Sequence, residues 1–291
     1  MPVGLASLPP MSDVVVVTDS TAYLSPGLAE AHGIAEVPLH MVLGARTGAE
    51  GLEVAPGDVA AALAERRVNV STSRPTPHEF ACAYRDTGAS HLVSVHLSAE
   101  LSGTYEAATL AAAEVADEGI DVHVVDSRTI AMGLGFAVLA AARAAAGGAA
   151  VEVVAQAAAD QAEATDTLFY VDTLEHLRRG GRIGAAAALF GAALAVKPLL
   201  HVKDGQIAPL EKVRTASKAL ARLEVLVAER AGDGVVDLAV HHLAAAEKAQ
   251  SLAERLRERL PRIGDLHVSE VGAVVGAHVG PGLLGVVVSR R

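Results

Sequence analysis

From Val14 onward, short runs of β-branched residues alternate with alanine-rich stretches of helical length, and this alternation constrains the fold more than any other feature. Strands joined by crossover helices pair in parallel. The first strand is read at 14–17, with others at 35–39, 91–96 and 121–125. Each runs into polar or small residues, and the carboxyl ends of parallel strands are where open α/β sheets hold ligands. Helices are predicted at 56–66, 76–85, 102–116 and 132–146, the second with Pro77 in its first turn. Gly147-Gly148 ends the fourth, and a further helix at 151–164 follows.

The pattern then changes. Strands are read at 167–171, 196–202, 206–213, 235–241, 266–271 and 284–289, with Lys203-Asp204-Gly205 as a hairpin signal between two of them. Helices at 216–229 and 245–260 repeat apolar residues at three and four positions and would cover that sheet. The reading is therefore α/β: a parallel-sheet α/β/α domain at 13–160, then a mixed-sheet α/β domain at 161–291, with the ligand site between them. Residues 1–12 carry three prolines and no positive region and are read as a flexible N-terminal extension.

A chain of 291 residues that is 51% apolar and 20% charged buries substantial cores. Its 24 basic against 34 acidic residues, a net charge of −10 with no Lys/Arg block, argue against a nucleic-acid partner. Cys82 stands alone, so no internal disulfide or cysteine-pair metal site forms, and the expected compartment is the cytoplasm. The uncharged runs at 129–142 and 183–196 fall short of the roughly 18 to 20 apolar residues that span a bilayer. Phosphate-loop, zinc-helix and nucleophile-elbow motifs are missing, and neither a metal nor a cofactor is expected. Gly133-Leu134-Gly135 lacks the third glycine of a dinucleotide fingerprint and reads as packing.

Hydroxyl and glycine clusters carry the more specific signal: Asp19-Ser20-Thr21, Ser71-Thr72-Ser73-Arg74-Pro75, the 98–105 segment with Ser98, Ser102, Gly103 and Thr104, and Asp126-Ser127. One such cluster is an ordinary cap. Four at strand ends point to a shared crevice, and the helix start after Ser98 would add free N–H groups suited to a carboxylate or phosphate. His278 is the one titratable side chain of a glycine-rich run at 276–282. Leu174, Leu177, Gly180, Gly181 and Arg182, with Lys197-Pro198 soon after, form a third group, and Arg182, Lys197 and Arg214 are candidate cations for a partner or a phosphate. Ile130, Phe136, Phe169, Phe190 and Leu194 are apolar candidates for a ligand tail. Two other readings stay open: a cleft for another small acid, and an autonomous hydrolase or transferase. The latter would use Ser98, Ser102 or Thr72 as nucleophile, His278 as base, and Asp19 or Asp126 as orienting acid.

Taken in order from 14 to 289, these motifs resemble the DegV family, and the chain is similar to the fatty-acid-binding subunit of the bacterial fatty-acid kinase. The resemblance implies two domains holding one long-chain fatty acid, a binding function with no catalytic residue, and a separate ATP-dependent kinase subunit as partner. That subunit would phosphorylate the acyl carboxylate for phospholipid synthesis, with transient contact at a membrane surface. Carried over, the carboxylate contacts fall on Thr72, Ser98 and His278, with Asp19, Ser20, Ser73, Ser102, Gly103 and Ser127 in supporting loops. Ala99 replaces the usual second serine, and Arg74 the usual glutamine. Burial of roughly 16 to 18 carbons at about 0.8 kcal/mol per methylene gives a gross drive on the order of 10 kcal/mol, before association costs. The tail would supply affinity. The head group would need donors from Thr72, Ser98 and a protonated or donor-tautomer His278.

Overall fold

A computed structural model describes residues 13–65, 69–189 and 197–291. The expected extension at 1–12, the helix end at Arg66, the strand start at Val196 and the tail candidates Phe190 and Leu194 lie outside the described residues.

The first half runs β1 (Val14–Asp19), α1 (Leu28–Ala31), β2 (Ala35–Val37), β3 (His40–Leu43), β4 (Arg46–Ala49), α2 (Pro56–Ala64) and β5 (Val70–Ser73). It continues through α3 (Pro77–Asp86), β6 (His91–His96), α4 (Thr104–Val115), β7 (Asp121–Asp126), α5 (Met132–Ala146) and α6 (Val151–Glu163). Four strands form a parallel sheet in the order β2-β1-β6-β7. Alternation along β1 sends Val14 and Val16 to the face covered by α5 and α6, and Val15 and Val17 to the face covered by α3 and α4. Alanines at 107, 108 and 111 let α4 lie close on that sheet.

The second half contains β8 (Thr165–Tyr170), α7 (Glu175–Arg179), β9 (Lys197–Lys203), β10 (Gln206–Val213), α8 (Ala216–Ala231) and β11 (Val236–His242). It ends with α9 (Ala246–Arg259), β12 (Ile263–Glu270), α10 (Ala273–Val279) and β13 (Leu284–Arg290). Its six-stranded sheet has the order β10-β9-β8-β13-β11-β12, antiparallel except for the β11–β12 pair. The α/β/α domain followed by a mixed sheet is thus the architecture read from the alternation. The β9–β10 hairpin turns at Asp204 and Gly205, both at positive φ as a two-residue turn requires. Helices α8 and α9 cover one face of the sheet, with Leu168, Leu199, Leu238 and Val286 beneath them.

Helix α5 joins the halves. It is buried continuously from Met132 to Leu139, as an all-round apolar helix must be, and its core includes Ala239 and Val287 of the second sheet. Gly133 lies where a Cβ would crowd Thr129 and Thr167, which accounts for the Gly133-Leu134-Gly135 motif as packing.

One unit was not expected. The strand read at 35–39 ends at Val37, and the chain enters a small antiparallel sheet, β4-β3-β5, whose strands are only four residues long. Thr72 therefore lies within a strand and not in a loop. The 276–282 run is also not simply a turn: α10 places His278 in its last turn and packs Ala273 and Val274 on Met41, Val54 and Val59.

Candidate functional site

A cavity of about 310 Å³ opens between the parallel sheet's loops, the inner face of the second sheet, the small sheet and α10. Phe169, Ile207, Val271, Val275, Leu283 and Val287 line it among many apolar side chains. Thr72, Ser73, Arg74, Ser102, Arg182 and His278, with Gly103, form a polar end, and Thr167 and His241 add polar groups on the second-sheet wall.

The centre of that end is a contact between two distant segments, Thr72 Oγ1 to His278 Nε2 at 2.9 Å. Thr72 is set by β5, whose register against β3 pairs it with Met41. His278 is set by α10 and by Gly180, where any Cβ would collide with the imidazole Nδ1. Burial and the neighbouring Arg182 guanidinium lower His278 to about 4, so its imidazole is neutral at neutral pH. Nδ1 is buried and without a hydrogen-bond partner among the described residues. A neutral ring beside a hydroxyl can donate one hydrogen bond to an acid oxygen and let the threonine donate another.

Arg182 is half-buried at the same end. Its Nε donates to the Leu101 carbonyl at 3.0 Å and its Nη1 to the Gly180 carbonyl at 2.8 Å, and among the described residues no carboxylate pairs with it. The polar end thus carries an uncompensated positive charge, which favours an anion beside Thr72 and His278. A second cavity, of about 430 Å³, shares Thr72, Arg182 and His278 with the first and adds Asn69, Ser71, His176 and Arg179. Arg74 lines the first cavity and ties the loop after β5 to the start of α4, with Nη1 reaching Glu106 Oε2 at 2.7 Å and the Gly103 carbonyl at 3.2 Å.

The other expected contacts are placed differently. Ser98 is fully buried but does not line the cavity; its hydroxyl donates to the Gly205 carbonyl at 2.7 Å and so docks the β9–β10 hairpin. Ser102, by contrast, lines it, with Oγ 2.9 Å from Thr104 Oγ1. Asp19 is a structural acceptor: its carboxylate takes the Thr21 N–H and hydroxyl, the Leu97 N–H at 3.0 Å and His96 Nδ1 at 3.1 Å. Ser20 is bound to Glu50, and Ser127 closes a local turn with Thr129. Lys197 lies outside the cavity lining and pairs with Asp172 at 3.1 Å. Among tail candidates, Ile130 and Phe169 line the cavity, whereas Phe136 packs in the core around α5.

These placements also bear on the serine–histidine alternative. Asp19 serves His96, and Asp126 accepts the Ala99 and Arg128 N–H groups, so neither orients His278. Asp19, His96 and Ser94 do form a chain, with His96 Nε2 2.7 Å from Ser94 Oγ, but all three side chains are sealed within the parallel sheet. Among the described residues, no cluster of metal-ligating side chains occurs and no helix is long and apolar enough to cross a membrane.

Periodicity did not mark the wall formed by the second sheet. Thr167, His241, Gly285 and Val287 line the cavity from three adjacent strands. His241 is held neutral, lowered to about 4 chiefly by burial, and its Nε2 accepts the Met132 N–H at the start of α5.

A family model described as an uncharacterised protein, DegV family COG1307, matches residues 13–291. A DegV domain-containing protein of Streptomyces coelicolor is 59% identical over 281 residues, covering 96% of this chain and 99% of the relative. A Thermus thermophilus structure described as fatty acid binding of a DegV family protein superposes with a TM-score of 0.89 at 30% identity, covering 96% of this chain and 99% of its own. DegV of Bacillus subtilis, described as a fatty acid binding protein, gives a TM-score of 0.88 at 33% identity over 96% of this chain and all (100%) of its own.

Proposed function

This chain belongs to the DegV family, and we propose that it binds one long-chain fatty acid, with the tail in the cavity and the carboxylate against Thr72 and His278. The observation that carries this reading is the 2.9 Å Thr72–His278 contact at the polar end of a mostly apolar cavity. Solved relatives described as fatty-acid binding support it. Apolar burial of the tail supplies affinity, while Thr72, the His278 N–H and the Arg182 charge compensate the desolvated acid. Ser102, expected in a supporting loop, and the N–H groups after it take the carboxylate-contact place expected of Ser98.

The finer reading is that the protein works in the cytoplasm and presents the carboxylate to a separate ATP-dependent kinase subunit. The phosphoryl-transfer machinery would lie on that partner. The second cavity favours this direction of access, because it reaches Thr72, His278 and Arg182 from the side bearing His176 and Arg179.

The test is extraction of the purified, never delipidated protein with organic solvent, followed by mass spectrometry. A near-stoichiometric long-chain acid is expected. An extract containing only polar metabolites overturns the reading.

A further inference from the structure

Glu50 is a buried acid that the binding reading leaves unused. It follows β4, is 4% exposed and does not line the cavity. Oε1 accepts the Val274 N–H at 2.7 Å and the Tyr23 hydroxyl at 3.2 Å, while Oε2 accepts the Ser20 hydroxyl. The Tyr23 oxygen also accepts the Val275 N–H at 3.2 Å, so two successive N–H groups in the first turn of α10 end on this pair. Gly272 makes the approach feasible, because a Cβ there would collide with Glu50 Oε1 and with the Tyr23 ring.

Burial disfavours the charged form of this acid. Burial raises Glu50 to about 7 despite three donors, nearby Asp19 adds to the rise, and Tyr23 is pushed up by burial and by Glu50. No cation pairs with Glu50 among the described residues. A buried acid outside the cavity that gathers three donors from separate segments calls for a role in holding those segments.

Its position supplies one. Helix α10 carries His278 at its far end. Strand β3 pairs on one edge with β4, which leads to Glu50, and on the other with β5, where Met41 faces Thr72. Glu50 therefore ties the sheet that holds Thr72 to the helix that holds His278. We infer that Glu50 is a positioning residue that fixes the depth of α10, and so the spacing of His278 Nε2 from Thr72 Oγ1, making the site select an acid over other head groups. This rests on the fatty-acid reading.

Delipidated wild type, Glu50→Ala and Glu50→Gln are compared for displacement of a fluorescent fatty acid by myristic acid and by 1-tetradecanol. In Glu50→Ala the preference for acid over alcohol is expected to fall about tenfold while alcohol affinity holds within about threefold. Glu50→Gln keeps an acceptor for the Val274 N–H and should retain most of the preference. An unchanged ratio in a folded Glu50→Ala, or equal loss for acid and alcohol, overturns the inference. If Glu50→Ala does not fold, Gly272→Ala takes its place, since its Cβ displaces the carboxylate; an unchanged ratio there has the same force. Wild type that binds neither compound overturns the fatty-acid reading itself.

Discussion

Thr72 and His278 stand 206 residues apart in sequence and 2.9 Å apart in space, and nothing but tertiary packing brings them together. Their partners are unequal. Thr72 can rotate its hydroxyl toward a ligand, whereas the His278 ring is wedged against Gly180. Thr72→Val removes one head-group hydrogen bond at nearly constant volume and should weaken fatty-acid binding about tenfold. Thr72→Val with His278→Ala should abolish partner-dependent phosphorylation while leaving substantial uptake of the tail. Titration with a fluorescent fatty acid, beside a phosphorylation assay with the proposed kinase partner, separates the two. Uptake lost with phosphorylation intact would reverse the assignment of head and tail.

Ser98 should behave as a structural residue. Its hydroxyl satisfies the Gly205 carbonyl at the tip of the β9–β10 hairpin, where Arg128 Nη2 also donates to the Asp204 carbonyl at 2.9 Å. Ser98→Ala leaves that carbonyl without its buried donor and should cost about 1–3 kcal/mol of stability. Denaturant unfolding measures this. The acid-to-alcohol preference should stay at the wild-type value, and a selective loss of acid binding would return Ser98 to the head-group site.

Stability should vary with pH in two opposed ways. Glu50, raised to about 7 by burial, keeps its proton in the folded state after the unfolded chain has lost it, so its contribution declines as pH rises from about 4.5 to 7. The full effect is on the order of 3 kcal/mol. His241 and His278, lowered to about 4 by burial, act with the other sign: the unfolded chain takes up protons first, and stability declines as pH falls from about 6.5 toward 4. Glu50→Gln removes the first effect alone, so the melting temperature of the variant relative to wild type should rise between pH 5 and pH 8. A difference that stays flat across that range would show that Glu50 is not titrating there.

Much of the frame was legible because valine and alanine periodicity is strong over lengths of six residues or more. Met132–Ala146 and Gln206–Val213 have the bounds read from the alternation. The small sheet was not, since four residues such as Val-Ser-Thr-Ser carry too few alternations to separate a strand from a polar loop. Helix α10 was masked by Gly276 and by the two glycines after His278. At the site, Thr72, Ser102 and His278 could be named, but whether a hydroxyl such as that of Ser98 turns inward depends on Gly205, a residue 107 positions away. Glu50 carried no signal at all: an acid beside Gly51 and Leu52 looks solvated, and its burial depends on Gly272.

Chain-length preference is expected to reside in a single row across the second sheet. Phe169, Gly285 and His241 are paired neighbours on β8, β13 and β11, and all three line the cavity. Two bulky side chains with a glycine between them leave a notch in the wall, and Val287 and Thr167 form the next row along. An added Cβ at 285 would lie 3.5 Å from Phe169 Cβ and 3.8 Å from His241 Cβ, ordinary contact distances, and Gly285 is not at positive φ. Gly285→Ala should therefore fold normally and gain up to about 1 kcal/mol from lower unfolded-state entropy. The same methyl group fills the notch, so acids long enough to reach the row should lose affinity while short ones do not. Competition across capric, lauric, palmitic and stearic acids reads this directly: the variant's optimum should move to shorter chains, with stearic acid weakened about tenfold relative to capric acid. Equal affinities in variant and wild type at every length would mean that the tail does not pass over this row.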